Sequence, residues 1–209
     1  MSDVNGEPEG DQPGVPEDVP TGARGSLSKV VRDWLIVIGV ALVAALLVRT
    51  YVLQQFYISG PSMETTMYTN DRVLVNKLSY RFGSIDRGDV VVFDRVTMNG
   101  NTVAHDDLIK RVIGLAGESV EIKNCDVYIN GARIEEPYLP DRDVSNSDPT
   151  ARCRVTSMRR VVVPAGHVFV MGDNRPESFD SRSFGSIPES LVIGRAFAVV
   201  WPLGSIKGL

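Results

Sequence analysis

Trp34-Leu-Ile-Val-Ile-Gly-Val-Ala-Leu-Val-Ala-Ala-Leu-Leu-Val48 is an apolar run without one charge, and it separates two parts of the chain that follow different rules. As a helix its 15 residues span about 22 Å at about 1.5 Å per residue. That is short for a bilayer core about 30 Å thick. Extension through Arg49 to Leu53 makes up the difference if the Arg49 head snorkels to the surface. Trp34, Tyr51 and Tyr57 then fall near the two interfaces, where amphipathic aromatics are favoured. A cleaved signal peptide would need a basic flank and a small-residue cleavage site. The 33 residues before the run are acidic overall, and Arg49-Thr-Tyr51 follows it. A buried soluble helix would show a polar face, and Val30 to Val48 has none. The run reads as a single transmembrane helix over residues 29–53.

Working outward toward the N-terminus, residues 1–20 hold six acids, four prolines and no Lys or Arg. Too few apolar groups are present to offset chain entropy, so residues 1–28 read as a disordered tail. Without those acids the net charge of −4 disappears: 20 acids face 22 bases. That balance gives no reason to expect nucleic acid as a partner. Arg24, Lys29 and Arg32 precede the run and Arg49 alone follows it. The positive-inside rule then places the tail in the cytoplasm and the C-terminal part outside the plasma membrane. Both cysteines, Cys125 and Cys153, belong to that outer part. An even count in an oxidising compartment predicts a disulfide. Neither C-x-x-C nor H-E-x-x-H occurs, so no metal and no cofactor is expected.

Beyond residue 54 helical periodicity gives way to short β-rich runs. Strands are predicted near 52–58, 72–78, 89–96, 107–114, 119–123, 127–130, 133–135, 159–164, 167–171 and 192–201. Asn130-Gly131 between two such runs is a strong hairpin signal. Residues 137–157 are polar and Asp-rich and read as a loop tied down by Cys153. The fold class is mostly β: an antiparallel sheet domain over residues 54–209, interrupted by a small inserted β subdomain at about 119–160.

The chemistry is limited first by what is missing. Only His105 and His167 occur, and a Ser-His-Asp triad needs a histidine oriented by a carboxylate. His167 lies in the strand-like run His-Val-Phe-Val-Met171 and reads as packed; His105 lies in a polar stretch and reads as solvated. Gly60-Pro-Ser-Met-Glu64 is half of a G-x-S-x-G elbow, and Ser26-Leu-Ser-Lys29 matches S-x-x-K only in the cytoplasmic flank. A serine can instead be activated by a neutral lysine. Free lysine, with a pKa of about 10.4, is protonated at pH 7, and burial among apolar groups disfavours its charged form. In Leu108-Ile-Lys-Arg-Val-Ile-Gly114, alternation flanks Lys110 with Leu108 and Val112 and sends Arg111 to the opposite face. Taken alone, a lysine in a β run more often sits on a solvated face.

The motifs together carry more. Ser62-Met63 follows the anchor, then come Asp71-Arg-Val-Leu-Val-Asn-Lys77, Arg87-Gly-Asp-Val-Val-Val-Phe93, Leu108 to Gly114, and Gly172-Asp-Asn-Arg175 with Ser178, Asp180-Ser-Arg182 and Gly185. In this order they resemble the type I signal peptidases, bacterial membrane-bound Ser-Lys endopeptidases, over nearly all of residues 30–203. The resemblance implies Ser62 as nucleophile, Lys110 as general base and Ser178 as a hydrogen-bonding partner of the lysine amine. Asp180 and Arg182 resemble the family's supporting ion pair, with Asp173 beside it; Met63 and Asp71 resemble cleft and framework positions. Some members carry a serine where Gly60 stands, donating to the oxyanion, so backbone N–H groups must serve here, that of Ser62 foremost. The implied substrates are signal peptides of exported pre-proteins, with small residues at the first and third positions before the cut. Ser62 lies nine residues past Leu53, which predicts a site near the outer membrane surface, with lipid as a second partner. Two rival readings remain: a catalytically silent anchored β domain acting as a secretion scaffold, and a Ser-Lys self-cleaving repressor-type protease, whose DNA-binding module the tail and anchor would replace.

Overall fold

The computed structural model describes residues 23–99, 102–140 and 153–209. The chain divides into two compact units, residues up to Ala45 and residues from Leu46 onward. Helix α1 runs from Ala23 to Leu47, and within it Leu27–Leu47 is long and apolar enough to cross a membrane. A short π turn, Val48–Val52, follows. The helix begins inside the stretch expected to be tail. Each residue added to an existing helix gains a hydrogen bond at little further cost, so residues 23–28 join it. The rest of the expected tail lies outside the described residues.

The second unit is built on eight antiparallel strands. They are β1 (Leu53–Tyr57), β2 (Arg72–Asn76), β3 (Val90–Asn99), β4 (Thr102–Gly114), β9 (His167–Met171), β10 (Ile187–Pro188), β11 (Val192–Trp201) and β12 (Lys207–Gly208). Their order is β1-β2-β11-β3-β4-β9-β10, with β12 on β11. A second, four-stranded sheet is inserted between β4 and β9, in the order β7 (Ala132–Arg133), β6 (Asp126–Ile129), β5 (Ser119–Lys123), β8 (Met158–Val162). The domain is mostly β with one inserted sheet, as the pattern of short runs predicts.

The uninterrupted apolar runs have a physical explanation: their strands are covered on both faces. Along β3, Val90 and Val92 enter one core cluster with Ile58, Met63 and Val199, while Val91 and Phe93 enter another with Val112, Val168 and Val170. Along β9, Val168 and Val170 face that second cluster, and Phe169 and Met171 face a third that fills the inserted sheet. The Asn130-Gly131 turn joins β6 and β7 with both residues at positive φ, 52° and 86°. This is the geometry that asparagine and glycine tolerate best.

Two features depart from the expected strands. β3 and β4 remain paired out to Asn99 and Thr102, well past the predicted ends. His105 Nδ1 lies 2.6 Å from the Asp94 carboxylate across this arm, and its side chain is 62% exposed, so the residue is solvated as expected and also tied to the ladder. The paired strands Ile187–Pro188 and Lys207–Gly208 are two residues long, too short for any period to register. Cys125 and Cys153 are joined by a disulfide. Of the expected 137–157 loop, residues 141–152 lie outside the described residues.

Candidate active site

Ser62 sits in a tight turn after β1, closed by the Glu64 N–H on the Pro61 carbonyl and the Met67 N–H on the Met63 carbonyl. Asp71 supports its base: the carboxylate accepts from the Tyr68 N–H at 2.9 Å, and the Asp71 carbonyl accepts from Ile58. Gly60 takes φ 104°, a conformation that glycine alone adopts freely, with open space where a side chain would project. A serine at this position would meet backbone strain. Among the described residues the Ser62 N–H donates to no acceptor.

Lys110 projects from β4 and is 3% exposed, its strand flanked on the same side by Leu108 and Val112. Its Nζ stands 2.5 Å from Ser62 Oγ. In the ammonium form the nitrogen donates; in the neutral form the hydroxyl can donate to its lone pair. Burial is the main influence on the amine and lowers its pKa to about 8, opposed by the charges of Asp180 and Asp173 and assisted by Arg182. About a tenth of the amine is then neutral at pH 7. Arg111 does not enter this balance, because alternation sends it to the other face.

Two buried ion pairs brace the lysine. Arg182 forks onto Asp180 at 2.8 and 2.7 Å, and the same carboxylate accepts the Gly172 N–H at 3.0 Å. Burial pushes the Asp180 carboxyl upward, but the hydrogen bonds and charge of Arg182 outweigh it and hold the group below the usual carboxylate range. Asp173 pairs with Arg111 at 2.9 and 2.7 Å rather than joining the Asp180 pair, and accepts from the Thr66 hydroxyl at 2.5 Å. Ser178 is buried beside them, but its Oγ closes no hydrogen bond of ordinary geometry. It contributes only proximity to the Asp180 carboxylate, and the expected bond to the lysine amine is absent.

Sequence reasoning assigned no role to Gly172 or Asn174, and both are central. A Cβ on Gly172 would collide with the Ser178 side chain and the Ser62 carbonyl oxygen, so only glycine lets these segments meet. Asn174 donates its N–H to the Ser62 carbonyl at 3.1 Å and its amide to the Pro61 carbonyl at 3.0 Å. No local pattern could reveal these partners, since more than a hundred residues separate them from the serine. Met63 differs from expectation. Its side chain is wholly buried in the core with Ile58, because the turn that exposes Ser62 sends the next residue inward. A recess of about 70 Å³ lies beside the dyad, between residues 56–59 with Ser62 on one side and residues 107–110 with Val92 on the other. β1 is an end strand, and residues 107–110 of β4 pair with β3 alone. Ile58 lines this recess, so Met63 shapes it from beneath and does not form its wall.

The signal peptidase, peptidase S26 family matches residues 31–201 of this sequence. The chain belongs to that family. Signal peptidase IB of Staphylococcus aureus strain COL is 34% identical over 197 residues, covering 87% of this chain and 95% of that protein. A Synechocystis protein named "Probable signal peptidase I-2" is 36% identical over 163 residues, covering 78% of this chain and 70% of its own. The crystal structure of a signal peptidase I from Enterococcus faecalis V583 is 34% identical, with a TM-score of 0.42, over 54% of this chain and 96% of that one. As an S26 signal peptidase the molecule is a serine endopeptidase acting on signal peptides. Neither the silent scaffold nor the repressor-type protease is favoured by these matches.

Proposed function

We propose that Ser62 is the nucleophile of this signal peptidase and Lys110 its general base. The supporting observation is the 2.5 Å approach of a buried amine to the hydroxyl. Neutral Lys110 takes the Ser62 proton as the oxygen attacks the scissile carbonyl, then passes a proton to the leaving amine. The acyl-enzyme is hydrolysed by a water that the same amine deprotonates. Oxyanion charge falls to the unpaired Ser62 N–H, since Gly60 offers no hydroxyl. Asp180 and Arg182 act through Lys110, as charges that set its proton affinity. Ser178, buried beside the Asp180 carboxylate, acts on the amine through that group.

The substrate enters as an extended strand along the free edges at the recess, where backbone groups supply hydrogen bonds and alternate side chains meet the protein. A space of about 70 Å³ favours small side chains, which supports small residues at the first and third positions before the cut. Helix α1, the one span long and apolar enough to cross a membrane among the described residues, serves as a single-pass anchor in lipid, with the N-terminus cytoplasmic and the catalytic domain outside, as the Arg24, Lys29 and Arg32 flank supports.

The test mixes detergent-purified full-length protein with a pre-protein bearing Ala-x-Ala at its cleavage site and reads the products by mass. Ser62→Ala and Lys110→Ala should both abolish cleavage while remaining folded. Replacing the alanine just before the cut by leucine should do the same to the substrate. Wild-type cleavage by Lys110→Ala would end the dyad proposal.

A further inference from the structure

We propose that Glu136, in the stretch that follows β7 of the inserted sheet, is a positioning residue for the reaction, acting through Arg175 on the loop that holds the Ser62 backbone. The proposal rests on the dyad reading above. Glu136 and Arg175 are an ion pair almost wholly withdrawn from water, with side chains 3% and 6% exposed. Arg175 Nη1 donates to Glu136 Oε2 at 3.0 Å, and Nη2 donates to Oε1. The Tyr138 hydroxyl donates to the same carboxylate at 2.8 Å. The remaining side of the guanidinium, Nε, donates to the Gly172 carbonyl at 3.1 Å. Arg175 is therefore a rigid strut from the inserted subdomain to the residue that abuts the Ser62 carbonyl oxygen and Ser178.

A second contact reaches the same loop. The Tyr138 ring lies 4.0 Å from the Arg111 guanidinium, and Arg111 forks onto Asp173. Segment 136–138 thus grips loop 172–175 at both ends. Between those grips Asn174 donates to the Ser62 and Pro61 carbonyls. Ser62 lies in no strand, and its backbone is held by its own turn and by this loop. Two charges are costly to bury unless both are matched. An alignment requirement of this kind gives a physical reason to keep them, because misplacement by about 1 Å can cost about a hundredfold in rate.

The experiment uses the full chain in detergent and a peptide spanning an Ala-x-Ala cleavage site. Glu136→Ala, Arg175→Ala, the double variant and the milder Glu136→Gln are compared with Val127→Ala. Val127 is a core residue of the same inserted sheet, 1% exposed and in the cluster on which Tyr138 packs, and its truncation loosens the sheet while keeping the Glu136–Arg175 ion pair. The readouts are kcat, KM, the pH profile and the thermal midpoint, with kcat measured well below that midpoint. Expected is a fall in kcat of about ten- to hundredfold for both single alanine variants. KM should stay within about twofold. The double variant should be no slower than the slower single one, as partners in one device are non-additive. The acidic limb of the profile should not move, since the groups acting on Lys110 are Asp180, Asp173 and Arg182. Should either alanine variant fail to fold, Glu136→Gln carries the test, with an intermediate loss expected. Undiminished kcat in folded Glu136→Ala or Glu136→Gln overturns the proposal, and so does an equal loss in Val127→Ala. Activity surviving in Ser62→Ala would instead overturn the dyad reading beneath it.

Discussion

Lys110 Nζ and Ser62 Oγ stand 2.5 Å apart across 48 residues of chain, and burial brings the pKa of that amine to about 8. The base must be neutral to accept the serine proton. Rate should therefore rise about tenfold per pH unit up to roughly pH 8 and level above it. A pH profile of kcat/KM on a peptide substrate checks this, and a flat profile from pH 5 to 9 contradicts it.

The same pKa has a cost in stability. An unfolded lysine titrates near 10.5 and the folded one near 8, so between those values the unfolded state binds more protons and stability rises with pH. The penalty is present in full below pH 8 and fades as pH climbs to about 10.5. At about 1.4 kcal/mol per pH unit it is on the order of 3 kcal/mol. Lys110→Met should be inactive but more stable at pH 7, and its stability should lose most of the rise between pH 8 and 10. Urea titrations at the two pH values measure both effects.

Asp180→Asn removes the charge that most strongly favours protonated Lys110. The acidic limb should move to lower pH, and Asp173→Asn should move it the same way by less. Asp180→Asn also leaves Arg182 buried without its counter-charge, a loss of about 3–5 kcal/mol where a buried pair is broken. A lower thermal midpoint with a downshifted limb is the expected pair of results. An upshifted limb would contradict the assigned electrostatics.

The fold was largely legible because its information is local. Val90 to Phe93 and Val168 to Met171 are apolar on both faces, and strands covered on both sides read as continuous runs. Asn130-Gly131 announces its own turn. The extended β3–β4 arm was hidden because the polar stretch Ala104 to Asp106 offers no apolar alternation, whereas cross-strand pairing decides the matter there. Ser62 and Lys110 were legible through ordered motifs, while their supports were not. Glu136 and Arg175 look like ordinary surface charges until the chain brings them together, and Gly172 owes its identity to a contact made 110 residues away.

Gly172 and Gly60 test opposite constraints. Gly172→Ala places a methyl group against Ser178 and the Ser62 carbonyl. Overpacking of this sort costs about 1–3 kcal/mol, and here it displaces both halves of the site, so kcat should fall steeply. Gly60→Ser meets no neighbour, only φ 104°. It should lower stability by about 1–3 kcal/mol, the usual range for a strained backbone position, and should not raise kcat. A faster Gly60→Ser enzyme would show that the turn relaxes to deliver a second oxyanion donor.

The disulfide bears on the site through the segment that begins at Cys153. Cys125 and Cys153 close a loop 28 residues along the chain, and restricting the unfolded ensemble in this way is worth about 2–4 kcal/mol. The bond also fixes the start of a segment that docks twice, through the Cys125 N–H on the Thr156 carbonyl at 3.0 Å and the Arg154 N–H on the Arg175 carbonyl at 3.3 Å. Reductant should therefore lower the thermal midpoint, and Cys125→Ser/Cys153→Ser should match the reduced wild-type protein. Below the transition kcat should drop by less than about tenfold, because the Glu136 carboxylate still holds Arg175 when the Arg154 link loosens. Combining Glu136→Gln with reduction weakens two of the holds on Arg175, and the loss in kcat should then exceed that of either change alone.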